Sequence, residues 1–153
     1  MKTNHLGVLQ WNYLFYPPGK NYTFCTSIAW AGDSSIPPLL GVVQSPRPLV
    51  FVGYTYIISY YFIGGVPYLS LDRKCFISQM LDNGTPASLT SFLLKYLLVS
   101  EHTCLQAKYH TGENLVYILG QAYTSNDDNY GPFILKYSTV TKTIVSGSKV
   151  KNR

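Results

Sequence analysis

Residues 48–71 read PLVFVGYTYIISYYFIGGVPYLSL, a run without a charged side chain, closed by Arg47 on one side and by Asp72, Arg73 and Lys74 on the other. Its length alone suits a membrane-spanning helix, which needs about 20 predominantly apolar residues, and the basic flanks suit interfacial anchors. The residue types argue the other way. Tyr54, Tyr56, Tyr60, Tyr61 and Tyr68 are spread through the run instead of gathering at its ends, and Gly64-Gly65 and Pro67 interrupt its final third. Val50, Val52, Ile57, Ile58 and Ile63 are branched at Cβ, which crowds a helix and suits a pleated sheet. The run is therefore expected to form two strands joined near Tyr60 or Gly64. A small membrane-associated protein anchored by residues 48–71 is the alternative.

The punctuation on either side is that of an all-β protein. Pro17-Pro18-Gly19, Pro37-Pro38, Asp82-Asn83-Gly84, His110-Thr111-Gly112 and Ser125-Asn126-Asp127-Asp128-Asn129 are turn-forming clusters between short apolar runs. Between them strands are expected at 6–15, 21–30, 39–43, 49–58, 66–71, 74–79, 91–98, 104–109, 115–123, 132–137 and 142–146. Residues 88–100 carry the one fair helical pattern. The expected fold is all-β, with antiparallel sheets arranged as blade-like repeats or as a β-sandwich. One domain spans residues 1–147, followed by a basic tail at 148–153.

A faint internal echo decides residues 88–100 in favour of strand. FLLKYLLV at 92–99 returns as FILKYSTV at 133–140, forty-one positions later. A period near forty residues belongs to four-stranded propeller blades or to helical repeats, and the β-branched Thr-Val-Thr after the second copy favours strands. Within residues 113–145, Asn114 to Gly120 reads as an inner strand ending in Gly, Phe133 to Tyr137 as the next strand, and Thr141 to Ile144 as the start of a return strand. In this, residues 75–150 resemble β-propeller blades of the kelch or YVTN-like kind found in extracellular proteins, with copies at 75–115 and 116–147. The resemblance implies small twisted sheets that bury their faces by stacking. Fewer than four such periods fit in 153 residues. The chain would thus be a blade-like sandwich or a piece that closes by oligomerising.

Composition turns this architecture toward surfaces. Charged residues make up 12% of the chain, about half the usual share, while fourteen tyrosines make it rich in side chains that bind well and also favour strands. The net charge of +5 gathers near the end, in Lys136, Lys142, Lys149, Lys151 and Arg153, and reads as a tail instead of a patch. With few arginines and no basic-aromatic interleaving, the pattern speaks against a nucleic-acid partner. Cys25, Cys75 and Cys104 allow at most one disulfide, and their plainest reading is three buried small hydrophobes. The apolar stretch from Leu6 to Phe15 is broken by Gln10 and Asn12 and is a poor signal-peptide core.

Searches for chemistry return little. GxSxG, P-loop and GxGxxG patterns are lacking. His102 and Cys104 share a strand face and, with His110 and Cys75, supply zinc-ligand types, but the spacing fits no familiar site and reads more simply as a loop histidine beside a buried thiol. Asn126, Asp127, Asp128 and Asn129 carry oxygen ligands of the kind calcium takes, without the DxDxDG pattern. Asp33, Asp72, Asp82, Glu101 and Glu113 are dispersed, so no pair of carboxylates is brought together in sequence. No metal or cofactor is expected. Asn21 and Asn83 head N-x-T sequons and are the candidate glycosylation sites.

These readings converge on a non-enzymatic, β-rich interaction or structural module displayed on a cell or virion surface, extracellular and homo-oligomeric. It would bind a protein or glycan partner, or its own copies, through Tyr54, Tyr56, Tyr60, Tyr61, Tyr123 and Tyr130 and through open sheet edges. A metal-dependent hydrolase with dispersed site residues is the third reading, and it predicts stoichiometric metal in the purified protein.

Overall fold

In a computed structural model of the chain, residues 2–3, 6–11, 22–30, 46–91, 101–110, 112–124 and 129–149 are described, and they are all-β. Ten strands follow in order: β1 (Lys2–Thr3), β2 (Leu9–Trp11), β3 (Tyr22–Trp30), β4 (Pro48–Ile63), β5 (Val66–Leu81), β6 (Pro86–Ser91), β7 (Glu101–His110), β8 (Leu115–Thr124), β9 (Asn129–Ser138) and β10 (Thr143–Lys149). The order β3-β4-β5-β6 makes one four-stranded antiparallel meander and β7-β8-β9-β10 a second, while β1 and β2 pair separately.

The two meanders share one core. Val50, Val52, Cys75 and Ile77 from the first sheet pack with Cys104, Val116, Ile118, Ala122, Phe133, Leu135 and Tyr137 from the second. Strand alternation explains the second set directly, since every other residue of β8 and β9 points inward. On β5 the six residues from Cys75 to Met80 are all buried, so this strand is enclosed on both faces. Phe76, Ser78 and Met80 occupy the face turned away from the second sheet.

Polar groups fix how the sheets meet. The Gln79 side-chain amide donates to the Thr139 carbonyl at 3.1 Å and accepts from the Tyr137 hydroxyl at 3.1 Å. Thr26 Oγ1 donates to the Cys104 carbonyl at 2.7 Å, and the Ala107 N–H donates to Ser27 Oγ at 3.1 Å. Buried groups paired this way tolerate one docking register, because sliding would leave them unsatisfied.

Each meander also contains the same junction. In the first, Cys25 lies opposite Gly53 with a bulge immediately after the cysteine, and Gly53 lies opposite Phe76. In the second, Cys104 lies opposite Gly120, again with a bulge after the cysteine, and Gly120 lies opposite Phe133. In both, a Cβ on the glycine would run into a backbone carbonyl oxygen, that of Phe24 or of Thr103, and into the ring of the facing phenylalanine. A bulge increases local twist, and a glycine beneath the ring lets the twisted strands stay close.

Several boundaries depart from the sequence reading. Asp72, Arg73 and Lys74 do not end a strand: β5 runs through them, merging the segments expected at 66–71 and 74–79. β6 overlaps the segment 88–100 read as strand and begins two residues before it. β10 reaches Lys149, so the positive charge is not a simple tail: Lys136 lies over the Tyr117 ring, and Lys142 donates to the Ala87 carbonyl. The strand expected at 39–43, nearly all of that at 91–98 with the FLLKYLLV copy of the echo, and residues 150–153 fall outside the described residues.

The cysteines also divide differently from three buried hydrophobes. Cys75 and Cys104 form a disulfide joining β5 to β7, whereas Cys25 is free and exposed. The bond consumes both thiols of the imagined zinc set. His102 is a buried core residue instead of a loop histidine, while His110 is exposed. Among the described residues, no group of three or more His, Cys, Asp or Glu could hold a metal ion.

His102 has its own role. Its Nδ1 accepts the Cys75 N–H at 2.8 Å, which requires a neutral ring with that nitrogen unprotonated. Burial, with the nearby Lys74 charge adding to it, pushes its pKa down from 6.5 to about 4. Between those values the unfolded chain binds the proton and the native state resists it, so stability falls as pH drops from 6.5 toward 4. The loss reaches about 3 kcal/mol at the lower end. Urea unfolding of the wild type and His102→Gln across this range should show the slope in the wild type and a much flatter dependence in the variant. Equal slopes would remove His102 as the cause.

Candidate functional site

The β4 and β5 strands pair without a register shift for their whole length, from Pro48 opposite Leu81 to Ile63 opposite Val66. Gly64 and Gly65 close them, both at positive φ (58° and 83°), as a two-residue hairpin loop requires. Their neighbours are shorter. β3 pairs with β4 only between Leu49 and Tyr56, and β6 pairs with β5 only between Phe76 and Met80. Among the described residues, 57–63 and 66–72 have no further strand beside them and form a two-stranded arm roughly 23 Å long, at about 3.3 Å per residue.

Alternation gives the arm two faces. Ile58, Tyr60 and Phe62 lie opposite Leu71, Leu69 and Pro67 on one, while Ile57, Ser59, Tyr61 and Ile63 lie opposite Asp72, Ser70, Tyr68 and Val66 on the other. The first face continues the core side of the sheet beyond the point where it has a sheet to cover it. Large side chains are open to solvent on both faces, with Tyr60 72%, Phe62 71% and Ile63 60% exposed. The Tyr61 and Tyr68 rings stack across the strands at 5.7 Å between centroids.

The root of the arm is firmly held. Arg73 donates to Glu101 at 3.2 Å from Nη2, Cys75 is bonded to Cys104, and the Cys75 N–H donates to His102. Three ties thus join alternate positions of β5 to the start of β7. Beside them Phe24 on β3 and Tyr54 and Tyr56 on β4 form a ring cluster, stacked at 5.1 Å between Phe24 and Tyr54 and edge-on elsewhere. Ser70 Oγ donates to Asp72 Oδ1 at 2.8 Å.

The residues expected to act at the surface are thus divided among several places. Tyr60 and Tyr61 lie on the arm, Tyr54 and Tyr56 in the cluster at its root, and half-buried Tyr123 on β8 opposite Glu101. Tyr130 belongs to β9, but its side chain falls outside the described residues, as do Asn21, Asp33, Asn126, Asp127 and Asp128 and the Asn129 side chain. Asn83 is exposed in the turn between β5 and β6, where its Oδ1 accepts the Thr85 N–H at 3.0 Å. The remaining carboxylates are engaged separately: Asp82 accepts the Arg47 N–H, and Glu113 accepts the Tyr117 hydroxyl.

Reasoning from tyrosine alone missed Phe62, Ile63, Val66, Leu69 and Leu71, which are exposed along the same arm. Their signal was present as an uncharged run bisected by Gly-Gly. No helix of the described residues is long and apolar enough to cross a membrane. Comparison with family models, with curated proteins and with solved structures finds no match to the chain.

Proposed function

We propose that the protein is a non-enzymatic interaction module of a cell or virion surface that binds a partner or its own copies through the β4–β5 arm. The observation that carries this reading is the arm itself. Residues 57–71 hold no charged side chain, expose large apolar groups on both faces and have open edges beyond Tyr56 and Phe76 among the described residues. Contiguous exposed apolar surface and unpaired strand edges are costs that soluble chains cover or use. The Cys75–Cys104 disulfide supports an oxidising setting, where such bonds persist.

Sedimentation velocity tests the self-association limb. The wild type is expected at a multiple of the chain mass, and Tyr60→Ser/Phe62→Ser/Leu69→Ser, which makes the fully apolar face polar, is expected as a monomer with the same circular dichroism. An identical mass distribution for the two proteins would take the arm out of assembly.

A further inference from the structure

We propose that the tip of the β4–β5 arm is a lipid-docking element that seats in the interfacial layer of a phospholipid bilayer. The inference rests on the arm being the contact element of the protein and names its partner.

The argument comes from the order of residue types along the arm. Farthest out are Phe62, Ile63, Val66 and Pro67 around Gly64-Gly65, all exposed. One level back stand Tyr60, Tyr61 and Tyr68, then Ser59 and Ser70, and only at the root do Asp72, Arg73 and Lys74 appear. Read from tip to root, the ribbon is apolar, then tyrosine with Leu69 beside Tyr60, then hydroxyl, with the Ile58–Leu71 pair standing between the serines and the charged root. A bilayer has the same profile from its hydrocarbon through the interface, where tyrosine concentrates, to the aqueous headgroups.

The distribution around the ribbon separates lipid from protein. A groove or a second sheet covers one face of a two-stranded ribbon. Here Phe62 and Pro67 project from one face and Ile63 and Val66 from the other, so a medium that surrounds the tip covers all four at once, whereas a flat protein surface covers two. Backbone chemistry sets the depth. Open edges in hydrocarbon leave N–H and C=O groups unsatisfied, so a lone hairpin does not cross. Beyond the Tyr61–Tyr68 level only two residues per strand remain, roughly 7 Å, within the depth to which interfacial elements settle. Pro67 has no N–H to strand there. The seven residues of 57–63 also fall short of the ~9–11 that a spanning strand needs.

Because the charged root lies roughly 20 Å from the tip, attraction to anionic headgroups is secondary, and neutral phosphatidylcholine vesicles are the proper probe. In flotation with the full chain, the wild type is expected to rise with the vesicles at both low and high salt. Phe62→Asp/Val66→Asp, both on exposed sites, should bind at least about tenfold more weakly while keeping its circular dichroism. In Phe62→Trp, the fluorescence added over wild type should shift to the blue and be quenched by lipids brominated high on the acyl chain. Absence of flotation, binding unchanged by the two aspartates, or an unquenched reporter each overturns the proposal. If vesicles fail to bind while the triple serine variant still abolishes assembly, the arm remains a protein contact and the lipid assignment falls alone. If both measurements fail, the arm is not the contact element.

Discussion

Replacing Cys75 and Cys104 together by serine is expected to lower stability by about 3 to 4 kcal/mol, the loop-closure value for a bond between residues 29 apart. The bond joins β5, whose residues 75–80 are buried on both faces, to the strand that begins the second sheet, so its loss is felt by the whole sandwich. Urea unfolding of the oxidised wild type, the reduced wild type and the double variant checks the claim. The last two should coincide, with transitions well below the first. A transition unmoved by reductant would show that the cross-link does not restrain the unfolded chain. The same change should loosen the root of the arm, where the Cys75 N–H bond to His102 and the Arg73 pair with Glu101 flank the disulfide.

Truncating the phenylalanine of the second junction is the other large effect. Phe133 is fully buried in the shared core, and Phe133→Ala should cost about 3 to 5 kcal/mol in lost transfer energy and cavity. The opposite error at the same place is also severe. A methyl on Gly120 would stand 2.7 Å from Phe133 Cε1 and closer still to Phe133 Cζ and the Thr103 carbonyl oxygen, so Gly120→Ala should cost about 3 kcal/mol through overpacking. Shrinking the ring in Phe133→Leu/Gly120→Ala should recover only part of that loss, because the Thr103 oxygen is backbone and cannot move aside. Chemical denaturation of wild type, Phe133→Leu, Gly120→Ala and their combination as a double-mutant cycle measures this, with Phe133→Ala unfolded alongside. A Gly120→Ala protein as stable as wild type would mean that the ring and the glycine do not interlock.

What could be read beforehand follows from where each signal resides. Period-two burial is local, so Val116, Ile118 and Ala122 on β8 and Phe133, Leu135 and Tyr137 on β9 could be recognised as strand interiors from sequence alone. The uncharged run of residues 48–71 likewise betrayed two strands through its tyrosines and Gly-Gly. The charges at Asp72, Arg73 and Lys74 misled because they resemble a loop. Their actual reason is distant, since Arg73 meets Glu101 at the sheet junction. β6 begins with proline and carries mostly small polar residues, a weak strand composition, and its pairing with the edge of β5 is what the local pattern does not show. Three cysteines allow three pairings, and choosing among them requires knowing that β7 crosses β5. The same ignorance turned His102 into a ligand candidate when it is an acceptor for a backbone N–H.

The candidate site was half legible. Tyrosine content pointed to the arm residues Tyr60 and Tyr61, but also to Tyr54 and Tyr56, whose rings pack with Phe24. What separates the two pairs is the length of β3. Among the described residues its pairing runs to Tyr22 opposite Tyr56, and no property of residues 48–63 encodes how far a neighbouring strand accompanies them.

Within each four-stranded sheet, every strand pairs only with its neighbours in the chain. Most of the sheet structure is therefore assembled across short sequence distances, and the tight Gly64-Gly65 turn can nucleate the longest ribbon on the microsecond scale of hairpin closure. Contacts between β3 and β7 or between β5 and β7 link distant parts of the chain, and they are made only when the two sheets come together. Sheet docking, not strand pairing, is then expected to be the slow step in folding, which stopped-flow refolding would show as a rate sensitive to Gln79→Ala and insensitive to changes in the Gly64-Gly65 turn.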